Sequence, residues 1–347
     1  MKLKALSSSD ENQMLDLLRS ERLSKESDFY LDRGSSFWEF YNWFSDGQNF
    51  ALGVFEGVQL IGMVAVARLP FKFKGSSSSA YVVSDMLIHS DFRKSFAAAK
   101  IMTGLHTIFP VSEFTGVWVE NKPNFAEVLP RLSIRHEHST NTPRETNLVT
   151  LYPNQKIDVM VSDSNFEVVD DWKQIENHLQ KYQAEIDSWV DWNGPIAIKD
   201  VFKTVSLFKY STAISEISGL LIDRSNLQKV RWNGQTRLLI EKYKRALERK
   251  NLSFTVDDEL PFINICFVTG TRSSIPSQLV AYLANWAGER NYFGVNIRDL
   301  VADLPKFLDH TLYPRRIFLS SDLPFAKLEE LVKFNLNKDI VLESIYL

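Results

Sequence analysis

Hydrophobic positions recur at two spacings along the chain, and each change of spacing marks the edge of an element. Lys2 to Leu6 read as a short strand. "SSSDENQMLDLLRSE" opens on Ser and Asp, which accept the first free amides of a helix, and predicts a helix. A second helix is expected over "SSFWEFYNWF", where Phe37, Tyr41 and Phe44 share a face. Strand spacing follows. "NFALGVFEG" and "QLIGMVAVARLPFKF" flank a Glu-Gly turn and predict a hairpin. "KGSSSS" reads as a loop by composition, and "AYVVSDMLIH" as the next strand. Ala98, Ile101, Met102 and Leu105 then return at i, i+3, i+4 and i+7, the buried stripe of a helix. "FTGVWVEN" predicts a strand, "NFAEVLPRL" a short helix despite its proline, and "TNLVTLYP" a late strand. Residues 152 to 165 hold Pro, Asn, Asp and Ser around a short apolar run, and a domain boundary is placed there.

The pattern then repeats. "MLIHSDFRKSFAAAKI" (86 to 101) matches "ICFVTGTRSSIPSQLV" (265 to 280), with Arg93 on Arg272 and Ser95 on Ser274. "FTGVWVEN" matches "YFGVNIRD", "VLPRL" matches "DLPKF", and "LIGMVAVAR" matches "ISGLLIDR". The second copy carries an extra amphipathic, basic segment at residues 233 to 251, read as a solvated helix face. "FEVVDDWKQIENHLQKY" has the strand-then-helix look of the first twenty residues. The shared order predicts a tandem duplication, with domains over 1–155 and 165–347.

Totals narrow the classes. A chain of 347 residues has the length of two domains, and 44% hydrophobic with 24% charged residues is globular. The net charge of −3 gives no overall attraction to nucleic acid or to an anionic membrane, so neither is expected as a partner. The single cysteine, Cys266, excludes an intramolecular disulfide and a Cys-based zinc cluster. His136 and His138 in "RHEH" lack a third ligand, and no metal is expected. With no run long enough to be a signal peptide or a membrane span, a cytoplasmic protein is expected.

The candidate chemistry lies at "DFRKSFAAAK", residues 91 to 100, where a strand runs into a helix. A helix start has unpaired N–H groups and a partial positive charge, and therefore attracts anions, phosphates above all. Ala97 and Ala98 let a ligand approach the backbone. Arg93 adds a forked donor and Ser95 a hydroxyl. An ordinary capped helix with a solvated arginine reads equally well from these residues alone.

The element order, with the turn Arg93, Lys94, Ser95, Phe96, Ala97 and Ala98, resembles the GNAT acetyltransferase superfamily. "LIHSDFRKSFAAAKIM" resembles the family's entry into its Arg/Gln-x-x-Gly-x-Gly/Ala turn, and "VWVENKPNFAEVLPRL" its next strand and Asn-initiated helix, begun here by Asn121. The resemblance implies an α+β fold of two GNAT-like domains, each a mixed, mostly antiparallel sheet flanked by helices. It implies acetyl-coenzyme A as cosubstrate, its diphosphate on the turn amides and its pantetheine arm beside the backbones of Met86 and Ile88. Arg272 and Ser274 would mark the weaker, second site. It implies a small-molecule or peptide amine as acceptor, and a monomer with two pseudo-dimeric halves or a homodimer.

Asp85 and Glu120 are the candidate proton acceptors. Strand alternation puts Asp85, Leu87 and His89 on one face and Ser84, Met86 and Ile88 on the other. Three departures stand out. Phe96 occupies a position usually held by glycine. Pro276 removes an amide from the second turn. Leu129 and Leu304 stand where the family often has a tyrosine acting as general acid. These departures keep open a second function class, a non-catalytic acyl-coenzyme A-binding or scaffolding protein. A longer-acyl or aminoacyl transferase also stays open.

Overall fold

The computed structural model describes residues 1–22, 29–34, 36–45, 48–73, 76–108, 115–120, 144–159, 164–185, 187–188, 198–270, 275–298, 304, 308–321 and 340–341. The first half contains β1 (Lys2–Ala5), α1 (Glu11–Arg22), β2 (Phe29–Asp32), α2 (Phe37–Phe44), β3 (Asn49–Glu56), β4 (Gln59–Phe73), β5 (Ser76–Ile88), α3 (Ala97–Ile108), β6 (Thr115–Glu120) and β7 (Arg144–Tyr152). The second contains β8 (Asn165–Val169), α4 (Trp172–Glu185), β9 (Asp187–Ser188), α5 (Ile198–Val201), β10 (Thr204–Ser211), β11 (Glu216–Asp223), β12 (Lys229–Trp232), α6 (Leu238–Glu248), β13 (Phe262–Thr269), α7 (Ser277–Glu289), β14 (Gly294–Arg298), β15 (Asp309–Ser321) and β16 (Ile340–Val341).

The helices start where the sequence places their caps. Ser36 accepts from the Glu39 amide at the head of α2. A single 3₁₀ turn, Ser8–Asp10, leads into α1, with Asp10 bonded to the Ser7 amide. One expectation is corrected. Ser76 to Ser79 are not a loop; their backbones pair with Phe73 to Pro70, extending the β4–β5 ladder. Serine carries no steric bar to an extended backbone, so a long antiparallel partner overrides the loop-like composition.

One large sheet runs β1-β3-β4-β5-β6-β15-β7-β14-β13-β11-β10-β8. Read inward from its two ends, the strand roles match. β5 lies parallel to β6, and β13 lies parallel to β14; the other pairs along this path are antiparallel. At the centre the halves exchange strands. β7 pairs with β14, and β15 of the second half pairs with both β7 and β6 of the first. A separate two-stranded ribbon, β2 with β12, ties the halves again through Leu31 opposite Val230.

Helices pack on both faces. One buried cluster joins α1 and α2 to α4 across the halves, including Met14, Phe37, Tyr41, Ile175, Tyr182 and Phe267. On the opposite face α3 covers the first half through Ile101, Met102 and Leu105, and α7 covers the second through Leu279, Val280 and Leu283. The inserted segment is more than a solvated face. In α6, Ile240, Tyr243 and Leu247 are buried against Tyr152, Trp232 and Phe293, while Lys242 pairs with Asp309 at 2.7 Å.

Strands exchanged at the sheet centre cannot leave one half without opening the other. Chemical denaturation is therefore expected to show one transition, coincident by far-ultraviolet circular dichroism and tryptophan fluorescence. Leu151 is fully buried in β7, and Leu151→Ala should lower stability by about 2–5 kcal/mol while keeping the transition single. Two separated transitions would show that the exchange does not couple the halves.

Candidate functional site

The central feature of the first half is a defect in its ladder. β4 and β5 pair as Met63 with Leu87 and as Ala65 with Ser84, so two steps on β4 face three on β5. The extra residue makes a β-bulge, and Asp85 within it adopts φ +48°. For a residue other than glycine that region costs on the order of 1 kcal/mol, and strain of this kind gathers at functional sites. The bulge also breaks the expected alternation. Ser84 and Asp85 both bond the Tyr41 hydroxyl, at 2.8 Å for Ser84, while Met86 and Ile88 pack toward α3 on the other face. Ser84 thus sits with Asp85, not with Met86 and Ile88.

Arg33 and Tyr41 both donate to the Asp85 carboxylate. Arg33 Nη2 donates to its Oδ2 at 2.6 Å, and Tyr41 donates to the same oxygen. The pair is interior: the Arg33 and Asp85 side chains are only 5% and 3% exposed. The Arg33 guanidinium lies 3.5 Å from the Phe40 ring centroid, in cation–π contact. Burial, and then the Asp85 charge, push the Tyr41 hydroxyl well above its ordinary pKa, so it remains a donor.

Beyond the bulge the sheet divides. β5 and β6 pair only through Tyr81, Val82 and Val83 against Gly116, Val117 and Trp118. The β6 strand then continues beside β15, with Glu120 opposite Arg316. Among the described residues no strand pairs with 84–88 on that side. Their backbone groups there border a gap inside the sheet, a place where another amide chain can pair.

The gap leads into the basic turn. Ser90–Phe92 form one 3₁₀ turn, Ser95 Oγ accepts from the Ala97 amide at 3.2 Å, and Phe96 O accepts from the Lys100 amide at 3.0 Å. The amides of Lys94, Phe96, Ala98 and Ala99 have no acceptor among the described residues. Arg93 and Lys94 are exposed beside them, and Ala97 is buried. Phe96 is 76% exposed and does not take a positive φ, so this turn has no need of a glycine there. His89 caps the 3₁₀ turn, its Nδ1 3.4 Å from the Asp91 amide.

Comparison with known proteins bears on the fold alone. No protein-family model matches the chain, and no curated protein matches it. Among solved structures, Saccharomyces cerevisiae N-myristoyltransferase with bound myristoyl-CoA is similar with a TM-score of 0.50 at 9% identity, over 92% of this chain and 78% of that one. A GCN5-related N-acetyltransferase from Anabaena variabilis gives 0.45 at 12% identity, over 92% and 72%. A probable N-acyltransferase from Enterococcus faecalis gives 0.46 at 10%, over 91% and 72%. The chain has the GNAT fold.

The second half repeats the bulge with different chemistry. β11 and β13 pair as Leu220 with Cys266 and as Ser218 with Thr269, and Phe267 takes φ +54°. Among the described residues β13 and β14 pair up to Ile265. The bulge thus matches Phe267 to Asp85, whereas ungapped matching of the two turns places Asn264 there. The bulge-to-helix turn is two residues shorter in the second half, since α7 starts at Ser277 and α3 at Ala97. Among the described residues no carboxylate is bonded to this bulge. His178 Nε2 meets the Phe267 carbonyl at 2.6 Å, which can only accept, so Nε2 carries the proton. Nδ1 then faces Ser218 Oγ at 3.2 Å, which contacts Thr269 at 3.0 Å. Cys266 is buried. Pro276 caps α7 rather than opening it.

Asn121, Leu129, Arg272 and Ser274 lie outside the described residues, as do His136 and His138. Leu304 packs half-buried against the second core. A cavity of about 570 Å³ between α7, β8 and residues 156–159 is lined by Phe166, Tyr282 and Trp286, and by none of the bulge residues. Among the described residues no cluster of His, Cys, Asp or Glu is placed to hold a metal, and no helix is long and apolar enough to cross a membrane. Sequence reading missed Arg33 and His178 as bulge partners. The available signal was the lone charge of "VVSDMLI", since a carboxylate in an apolar strand calls for a buried cation.

His178 yields a pH prediction. Burial holds its pKa below the ordinary value, opposed in part by the Phe267 hydrogen bond. In the unfolded chain the ring charges near pH ~6.5, while in the fold it resists charging. Its contribution is therefore present above that pH and lost as pH falls toward the depressed folded value. Urea midpoints from pH 7.5 to 5.5 should fall more steeply for wild type than for His178→Gln. Equal slopes would remove the imidazole from this role.

Proposed function

We propose that the chain is an N-acyltransferase that moves an acetyl group from acetyl-coenzyme A to an amine, working at its first half. The observation that carries this reading is the sequence of features along β5: a strained bulge, a strand with one open edge, then a turn with free amides and two exposed cations. An anionic, amide-bearing donor fits all three in order.

In this reading the amides of Lys94, Phe96, Ala98 and Ala99, with Arg93, hold the diphosphate at the head of α3. Met86 and Ile88 offer backbone partners to the pantetheine amides. The bound donor supplies an activated acyl group at the gap between β5 and β6. The amine nitrogen bonds the acyl carbon, the carbon–sulfur bond breaks, and the ammonium proton ends on the thiol or in water. Asp85, already engaged by Arg33 and Tyr41, acts as a positioning residue that fixes the bulge. Glu120, at the end of β6, stays a candidate proton acceptor. The domain division near residues 155–165 and a monomer with paired halves belong to the same proposal.

A longer acyl chain is the second reading. It is favoured by the fold neighbour whose structure holds myristoyl-CoA.

Calorimetric titration separates these. Acetyl-coenzyme A should bind saturably to wild type and roughly three- to tenfold more weakly to Arg93→Ala, as for loss of one solvent-exposed charge-assisted contact. Tighter binding of myristoyl-coenzyme A would select the longer chain. No binding of either at millimolar ligand would sink the acyltransferase reading. Asp85→Asn is expected to lower kcat/KM about tenfold or more without moving the acidic limb of the pH profile. Loss of that limb would make Asp85 the base instead.

A further inference from the structure

Arg33 is paired on one nitrogen and short of partners on the others. Nη2 donates to Asp85, while Nε and Nη1 are buried with no partner among the described residues. Buried polar groups are almost always satisfied, and a charged donor left without an acceptor is costly. The group that would relieve this shortage is an anion with acceptor oxygens.

We propose that Arg33 receives the carboxylate of the acceptor, so that the amine to be acylated belongs to an amino acid or a closely similar amino carboxylate. Geometry supplies the reasons. Met86, Ile88 and the anion-binding turn face α3, whereas Ser84, Asp85, Arg33 and Tyr41 lie on the opposite face. A donor occupying the α3 face leaves the Arg33 face for the acceptor. There the remaining nitrogens of Arg33 suit an anion carried by the acceptor, a few atoms from its amine. The anion is singly charged on this argument. A phosphate would bring a second negative charge next to the Asp85 carboxylate, which lies 2.6 Å from Arg33. The guanidinium lies 3.5 Å from the Phe40 ring centroid and 5.3 Å from that of Tyr41, flat surroundings that suit a planar carboxylate.

Naming this ligand as the acceptor rests on the acyl-transfer reading; the carboxylate site itself is tested without coenzyme A. The probes are N-acetylglycine and N-acetylalanine, each against its neutral amide, titrated calorimetrically into the full chain. Wild type should bind each carboxylate at least tenfold tighter than its amide. Arg33→Lys keeps a cation for Asp85 but loses the guanidinium nitrogens, and the preference should fall roughly tenfold. The paired change Arg33→Met with Asp85→Asn removes both charges together and keeps the core filled, with folding checked by circular dichroism; there the preference should vanish. Equal affinity for acid and amide, no binding of either by wild type, or a preference surviving in the paired variant would each overturn the proposal. Acetyl-coenzyme A titrated into the same samples keeps the two readings apart. Its binding without a carboxylate preference defeats only the Arg33 site. A carboxylate preference without its binding defeats only acyl transfer.

Discussion

The extra residue of β5 has to be held in place, and the ion pair between Arg33 and Asp85 holds it. A left-handed aspartate in mid-strand is unfavourable by itself, and a regular ladder would expel it. Burial of the carboxylate against a guanidinium reverses the balance, because separating such a pair leaves an uncompensated interior charge at a cost of about 3–5 kcal/mol. Tyr41 adds its hydroxyl and is itself fixed between Phe37 and Phe40. The strand cannot relax into register without breaking these contacts. Its departure from β6 begins at this bulge.

The same pair makes the halves interdependent. Arg33 follows directly on β2, and β2 is a strand only through β12 of the second half. The Asp32 carboxylate beside it is bonded by Arg231, and Tyr30 bonds Asp257 at 3.1 Å. A residue that shapes the first site is thus positioned by the second half. The strand exchange of β7 and β15 acts in the same sense at the sheet centre.

Much of this was legible in sequence, and what was hidden has physical causes. Apolar runs mark β3 and β4, which are buried on both faces, and period-3.6 stripes mark α1, α2 and α3, which each bury one face. The basic turn is legible because its residue types match its chemistry. The partner of a strand is not written in its own alternation, so the exchange of β7 with β15 could not be seen. Arg33 was invisible for a similar reason: its partner lies fifty-two residues away, and an arginine after a short strand looks like any surface arginine. The repeat was found but slipped along its central strand, since gapless matching cannot absorb a turn that differs in length between the copies. Serines 76 to 79 were misread because composition reports on turns only where no longer ladder competes.

The two halves then differ in the way that matters for chemistry. Both carry the bulge, the parted strands and a helix after the turn, so the scaffold is duplicated. In the second half a phenylalanine takes the place of Asp85, and an uncharged histidine is spent on satisfying the bulge carbonyl. Among the described residues that bulge is held by an apolar ring and a hydrogen bond rather than by a carboxylate. A backbone defect kept in both copies but charged in only one implies separate demands on the two: geometry alone in the second, geometry with an interior ion pair in the first. Because that pair depends on the ribbon from the second half, the less polar copy need not bind anything to shape the site. Its β12 strand is enough to place Arg33 beside Asp85.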